Sequence, residues 1–158
     1  MLHDPVRFSQ LAGDVRGIFV AGEPACRGQY IKELQLIELD DGYVQDLQTT
    51  AEEVASTIVH EAQHARLCRL GFGYETGIRN RIERLCFLSQ RIFGLRLPCG
   101  ETVLDTADSW LNSDIGQHFS DDALTEAHVE ANFERLEELG CPKWIQRILR
   151  KYVKHKCG

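Results

Sequence analysis

The feature that most constrains the fold is a long run of helical periodicity that begins at Thr50. Apolar residues recur in it at intervals of three and four, which places them on one face of a helix. They are Ala51, Val54, Ala55, Ile58, Ala62 and Ala65. Thr50 and Glu53 have the spacing of a capping box, and Gly71 or Gly73 can end the helix. The pattern predicts a helix of about five turns with one buried face.

The same helix carries His60, Glu61 and His64 in an H-E-x-x-H pattern. Residues four apart lie one turn apart on one face, so the two imidazoles can bind a single zinc ion. Glu61 is rotated by about 100° from His60 and therefore flanks the ion, where a carboxylate can accept a proton from water. The histidines lie opposite the apolar stripe, which predicts a core on one side and a cleft floor on the other. The alternative is two histidines that bind no metal.

The rest of the sequence predicts a small sheet before this helix and several helices after it. Strands are expected at residues 15–21, 34–39 and 43–47, with a hairpin turn at Asp40-Asp41-Gly42 joining the last two. The alternation changes phase between Leu36 and Ile37, which indicates a bulge or, less favoured, a helix from Ile31. Further helices are predicted at residues 77–93, 101–111, 121–139 and 142–155. This order favours an α+β fold with a small mixed or antiparallel sheet, in one domain over residues 1–158.

Composition excludes some partners and locations. Eighteen basic and 24 acidic residues give a net charge of −6, which argues against nucleic acid as a partner. We expect no transmembrane segment, because no stretch reaches about 18 apolar residues. The N-terminus lacks the pattern of a signal peptide, so we expect a cytoplasmic protein.

The cysteines and the charges of the C-terminal helix are expected to have structural rather than functional roles. The six cysteines form no C-x-x-C pair and are expected to be reduced and mostly buried, with three disulfides as the alternative. The last helix is basic and the helix before it is acidic. We expect its apolar stripe to pack on the domain and its charges to be solvated beside the acidic helix, rather than to bind a membrane.

Residues 59–67, VHEAQHARL, resemble the active-site helix of the zincin metallopeptidases. The glycine and third histidine that continue the pattern in metzincins are absent after His64. The resemblance is therefore to the gluzincins, which take a third ligand from a glutamate on a following helix. It implies a zincin-like fold, one zinc ion per chain, a peptide or protein substrate, and Glu61 as the general base.

Glu83 lies 19 residues after His64 in the second predicted helix, where the resemblance implies the third ligand. Two histidines and a glutamate form a known catalytic zinc set that leaves a fourth position for water. An i, i+4 ion pair with Arg79 is the structural alternative for Glu83. The rival ligands are Glu75 and, farther along the chain, His118, Glu126 and His128.

Tyr74 lies nine residues before Glu83, the offset of a transition-state tyrosine in thermolysin-like enzymes. The resemblance therefore implies that its phenol donates to a developing oxyanion. The alternative is an aromatic residue that anchors the turn at residues 71–77. For a second donor, the remaining candidates are His118 and His128.

The sequence departs from the thermolysin-like pattern at Phe87, four residues after Glu83, where that pattern has an acidic residue that supports a zinc histidine. Asp105, Asp108 or a backbone carbonyl is expected to take that role. Zincins also bind extended peptide along an edge strand beside the active helix, and the resemblance makes residues 43–47 a candidate for that edge or its neighbour.

A zinc metallopeptidase is the function that these residues predict. A zinc hydrolase of a non-peptide amide or ester would use the same residues. A non-catalytic interaction module with a zincin-like fold is the third hypothesis, and a fourth protein ligand such as a cysteine would favour it.

Overall fold

The computed structural model describes residues 9, 12–22 and 26–157, with side chains described throughout except at residues 122, 128 and 151–157. The strands are β1 (Gly17–Ala21), β2 (Gly28–Ile31) and β3 (Leu36–Asp40). The helices that follow are α1 (Asp41–Gln45), α2 (Ala51–Arg69), α3 (Arg79–Gly94), α4 (Glu101–Asn112), α5 (Ile115–His118), α6 (Asp121–Glu138) and α7 (Lys143–Cys157). The fold is therefore α+β, as predicted, and none of the described helices is long and apolar enough to cross a membrane.

The three strands form a mixed sheet in the order β1-β3-β2. Strand β3 is central, parallel to β1 and antiparallel to β2. Its residues Ile37, Glu38 and Leu39 are all buried, as expected for a strand with a neighbour on each side. The phase change between Leu36 and Ile37 is neither a bulge nor a helix. A turn ends at Gln35, which has a φ of 57°, and the strand begins at the next residue.

The predicted strand at residues 43–47 is wrong, and so is the hairpin at Asp40-Asp41-Gly42. Asp40 is instead the N-cap of α1, and its carboxylate accepts a hydrogen bond of 2.7 Å from the backbone N–H of Tyr43. An aspartate that satisfies a free N–H in this way starts a helix as readily as it forms a turn. The hairpin partner of β3 is β2, a strand of only four residues that the sequence patterns did not reveal.

Helix α2 packs on the sheet as its apolar stripe predicts. Val15, Ile37, Leu39 and Ala65 form a buried core, and the partly buried Val54, Ile58 and Ala62 pack against it. The opposite side of the helix is also covered, because His60 and Glu61 are buried. The expectation of an open cleft floor is therefore wrong for these two side chains, since α3 packs over that face.

The chain divides into two compact units, Met1–Ser120 and Asp121–Gly158. In the second unit, Arg150 pairs with Glu130 and its guanidinium lies 4.2 Å from the ring centre of Phe133. Lys143 lies 3.4 Å from Glu137. These contacts confirm the expected pairing of the basic helix with the acidic one. A single domain over residues 1–158 stays a prediction.

The capping box at the start of α2 yields a stability test. The Thr50 hydroxyl accepts from the Glu53 backbone N–H, and the Glu53 carboxylate accepts from the Thr50 N–H at 2.9 Å. Thr50→Ala removes one of these bonds, so we expect the free energy of unfolding to fall by about 1 kcal/mol. Urea unfolding followed by circular dichroism measures the change. Thr49→Ala, one residue outside the cap, is the control, and an equal loss in both variants would contradict the assignment.

Candidate metal centre

Helices α2 and α3 run antiparallel and bring the predicted site residues together. Three contacts fix their alignment, namely Gln90 with Ser56, Ser89 with Gln63, and Glu83 with His64. Gly71 has a φ of +89° in the turn between the helices, a conformation that glycine adopts without strain. This turn returns the chain over the histidine face of α2.

Glu83 is 2 % exposed and lies between the two histidines. Its Oε2 is 3.3 Å from His60 Nε2, and its Oε1 is 3.4 Å from His64 Nε2. Two ligand atoms at about 2.0–2.1 Å from one tetrahedral ion are about 3.3–3.4 Å apart. Each histidine nitrogen and the carboxylate oxygen that it faces are therefore as far apart as two neighbouring ligands of one tetrahedral ion. The carboxylate of Glu83 faces the imidazoles, whereas the alternative for this residue was an ion pair with Arg79.

Burial and mutual contacts shift the pKa of each side chain in this cluster. Burial lowers the pKa of His64 to about 4; the charge of His60 lowers it further, and the charge of Glu83 opposes this. Burial also lowers the pKa of His60, but its contact with Glu83, the charges of Glu61 and Glu83, and a hydrogen bond to Gln90 raise it overall. Burial raises the pKa of Glu83, yet the two imidazoles and Tyr74 bring it below the usual range.

The buried carboxylate also has an unmet bonding requirement. Oε2 of Glu83 is buried, its polar neighbour is His60 Nε2 at 3.3 Å, and it accepts no well-formed hydrogen bond among the described residues. Such an atom costs about 1–3 kcal/mol, and more when it is charged. A divalent cation held by His60, His64 and Glu83 would satisfy it, and imidazole and carboxylate are both ordinary zinc ligands. The donor set therefore fits a metal ion.

Glu61 lies beside the cluster and does not point away into solvent. Burial raises the pKa of Glu61 to about 7, and the negative charge of Glu83 acts in the same direction. The charge of His60 and a hydrogen bond from the backbone N–H of Tyr30 lower this pKa, but by less. A carboxyl group with a pKa near neutrality is suited to accept and return a proton. The N–H of Tyr30 comes from β2, so the strand beside the site is β2 and not the predicted segment 43–47.

Tyr74 contacts the cluster from the turn before α3. Its phenol donates a hydrogen bond to Oε1 of Glu83, and its ring centre is 5.5 Å from that of His64. The Arg79 guanidinium lies 4.9 Å from the Tyr74 ring centre and donates to the carbonyl of Phe119 at 3.0 Å. Arg79 therefore supports the tyrosine and not the glutamate.

The second hydrogen-bond partner of the His60 ring, besides Glu83, is Gln90. The sequence patterns did not indicate this residue. Gln90 donates to Ser56 Oγ at 3.0 Å, and Ser56 donates to the carbonyl of Glu53 at 2.9 Å. This arrangement leaves the amide oxygen of Gln90 to accept from His60. Because His60 Nε2 faces Glu83, the bond to Gln90 falls to Nδ1 and leaves Nε2 free to bind a cation.

The carboxylates predicted for that outer role lie elsewhere. Asp108 pairs with Arg91. Phe87, at the position of the missing acidic residue, packs its ring edge-on against His60 with 4.6 Å between ring centres. Trp110 stacks on Phe87 at 5.3 Å and contacts the ring of His118. An aromatic layer therefore covers the side of His60 where an acidic residue was expected.

Cys86 is the second residue that the sequence analysis missed. His60, His64 and Cys86 each offer a ligand atom, and these atoms lie within 4.8 Å of one another. Cys86 is completely buried, whereas Cys26 and Cys99 are exposed and Cys68 and Cys141 are half-buried. All five are free thiols, and the Cys157 side chain lies outside the described residues. The signal in the sequence was its position three residues after Glu83, on the same face of α3.

Two of the rival ligands in the first unit are placed by the structure. Glu75 is exposed, and the ring of His118 packs on Trp110. Glu126 lies in the second unit, which is described by itself, and the side chain of His128 lies outside the described residues. Comparison of the chain with protein-family models, curated proteins and solved structures finds no match in any of the three. The zincin resemblance of residues 59–67 therefore stays a prediction.

The role of Gln90 can be measured through metal affinity. Gln90→Leu removes the acceptor that orients His60, and loss of such an outer partner costs about 10–100-fold in affinity. Competition of the protein with a chromophoric chelator for zinc measures the change. Ser89→Ala, which removes the neighbouring bond to Gln63, is the control and should change affinity by less than threefold, on the order of a weak, partly exposed hydrogen bond. Equal affinity of Gln90→Leu and the unmodified protein would refute the role.

Proposed function

We propose that this protein is a zinc-dependent metallopeptidase. One observation carries the proposal: Oε2 of Glu83 lies 3.3 Å from His60 Nε2 and Oε1 lies 3.4 Å from His64 Nε2, and each distance is that between two neighbouring ligands of a tetrahedral ion. His60, His64 and Glu83 would hold the zinc, one ion per chain. The cluster belongs to α2 and α3, two long helices packed against each other, and rigid elements of this kind hold a site more accurately than loops.

A bound zinc ion would supply Lewis-acid activation of a water molecule and of the scissile carbonyl. Glu61 would take the proton of the attacking water and pass it to the leaving amine as the C–N bond breaks. Its raised pKa, about 7 before any metal is bound, suits a group that both accepts and returns a proton. The phenol of Tyr74 would donate to the oxyanion that develops on the carbonyl oxygen.

The position of β2 beside Glu61, at the edge of the sheet formed by the described strands, favours an extended peptide over a small non-peptide amide as the substrate. Strand β2 is at the edge of the sheet, and the backbone of Tyr30 contacts Glu61. A peptide paired with this edge would pass beside the general base, in the strand-addition mode of recognition. The 43 % exposure of Tyr74 leaves its ring accessible to such a chain.

Substitution of Glu61 tests the mechanism separately from metal binding. Glu61→Gln keeps the size of the side chain but cannot accept a proton, so we expect peptide hydrolysis to fall by about 10²–10⁴-fold while one zinc per chain is retained. Cleavage of a peptide library followed by mass spectrometry gives the rate, and elemental analysis gives the zinc content. Glu52→Gln, on the first turn of the same helix, is the control. Undiminished hydrolysis by Glu61→Gln would rule out the mechanism.

Removing a ligand tests the metal site itself. His60→Ala, His64→Ala and Glu83→Ala should each purify without zinc, because the loss of a direct ligand weakens the binding of the ion strongly. A freshly purified unmodified protein that contains no zinc and does not take it up would contradict the proposal. Circular dichroism of each variant shows whether the helices are retained.

Tyr74→Phe separates the two roles of the tyrosine. We expect kcat to fall by about 10²-fold with zinc retained and KM nearly unchanged, because an oxyanion donor acts mainly in the transition state. Steady-state kinetics on a cleaved peptide measure both constants. If kcat is unchanged, the phenol serves only to bind Glu83 and is not a catalytic group.

A further inference from the structure

Cys86 occupies a position that the proposed hydrolysis does not use. It lies one helical turn beyond Glu83 on the face of α3 that packs against α2, with its sulfur within 4.8 Å of nitrogen atoms of both histidines. We propose that Cys86 is an internal fourth ligand, which closes the metal site in the resting protein and must be displaced before water and substrate can bind. This inference rests on the proposed zinc site and adds its regulation.

The distances allow this coordination. Zinc–sulfur and zinc–nitrogen bonds of about 2.3 and 2.0–2.1 Å place the two ligand atoms about 3.5 Å apart in a tetrahedral site. The sulfur therefore needs to approach each histidine nitrogen by at most about 1.3 Å from the observed limit of 4.8 Å. Rotation of one side chain about its χ1 bond moves a sulfur atom farther than this.

The thiol of Cys86 is enclosed between the two helices. Cys86 is completely buried, so neither solvent nor another thiol reaches it without opening the helix pair. A cation would enter through the same opening; as it binds, the thiol proton leaves to solvent and a thiolate–zinc bond forms. Thiolate is a softer ligand than water and suits zinc well.

A second observation also indicates a ligand at this place. Oε2 of Glu83 is buried, accepts no well-formed hydrogen bond among the described residues and lies in the same cluster. Cys86 also packs with Leu67 and Ile82 in a small apolar core. That packing explains why a small residue is tolerated there, whereas the nearby unsatisfied carboxylate oxygen is explained by a cation. Together, His60, His64, Glu83 and Cys86 make a four-ligand set of two nitrogens, one oxygen and one sulfur.

Cobalt(II) substitution tests the inference without measuring activity. Thiolate bound to cobalt(II) produces a charge-transfer absorption in the near ultraviolet, which nitrogen and oxygen ligands alone do not. We expect this band at one equivalent of cobalt in the unmodified chain, its loss in Cys86→Ser, and its retention in Cys68→Ser. Cys68 is the matched control, a half-buried free thiol on α2. Circular dichroism verifies that each variant is folded, and Cys86→Ala provides a second variant.

Zinc affinity and turnover give two further readouts. Loss of a residue that only orients a ligand lowers zinc affinity by about 10–100-fold. Loss of Cys86, as a direct ligand, should lower the zinc affinity by more than this. At saturating zinc, Cys86→Ala should hydrolyse peptide faster than the unmodified protein, because the fourth position is then open to water. A merely structural cysteine would not raise the rate.

The possible failures are distinguishable. If the unmodified chain binds one cobalt per chain without the charge-transfer band, or if the band persists in Cys86→Ser, the Cys86 inference is overturned while the metal site stands. If the unmodified chain binds no cobalt and no zinc, the proposed function is overturned as well. The inference is supported if the band appears in the unmodified chain, disappears in Cys86→Ser and is retained in Cys68→Ser.

Discussion

A buried carboxylate between two imidazoles is the interaction on which the rest of this structure depends. Glu83 is almost completely buried, and removing a charged group from water is costly unless close partners compensate. His60 and His64 provide those partners from α2, and Tyr74 adds a hydrogen bond from the turn. The requirement to satisfy Glu83 therefore couples the packing of the two central helices to the geometry of the site.

Each layer of the molecule contributes to holding this cluster. The mixed sheet packs on the apolar side of α2, so the histidine side must face α3. The Ser56–Gln90 and Gln63–Ser89 hydrogen bonds align the helices along their length, and Gln90 orients His60 in addition. Strand β2 reaches the site through the Tyr30 backbone. Side chains supported on several sides in this way are held in one geometry, which is what the proposed metal site requires.

The proposed closure by Cys86 joins two of the functional hypotheses that sequence patterns leave separate. A zinc site closed by a fourth protein ligand is typical of a structural role, whereas an open fourth position is typical of a hydrolase. Here Glu61 is retained as a buried carboxyl beside the cluster, with its pKa raised to about 7. If both proposals hold, the displaceable sulfur ligand and the buried base together make a hydrolase with a closed resting state.

What the sequence by itself determined is local. The capping box and periodicity of α2 follow from hydrogen bonds and side-chain spacing within a few residues, and H-E-x-x-H places two imidazoles on one face of any helix that contains it. The resemblance already indicated Glu83 as a partner of those imidazoles. The tertiary structure alone decided that Gln90 rather than a carboxylate contacts His60 and that Cys86 lies near both histidines, because both contacts depend on how α3 is aligned with α2. The strand β2 and the helix started by Asp40 were missed for the related reason that short elements depend on distant neighbours, since an aspartate can begin a turn or a helix until its surroundings select one.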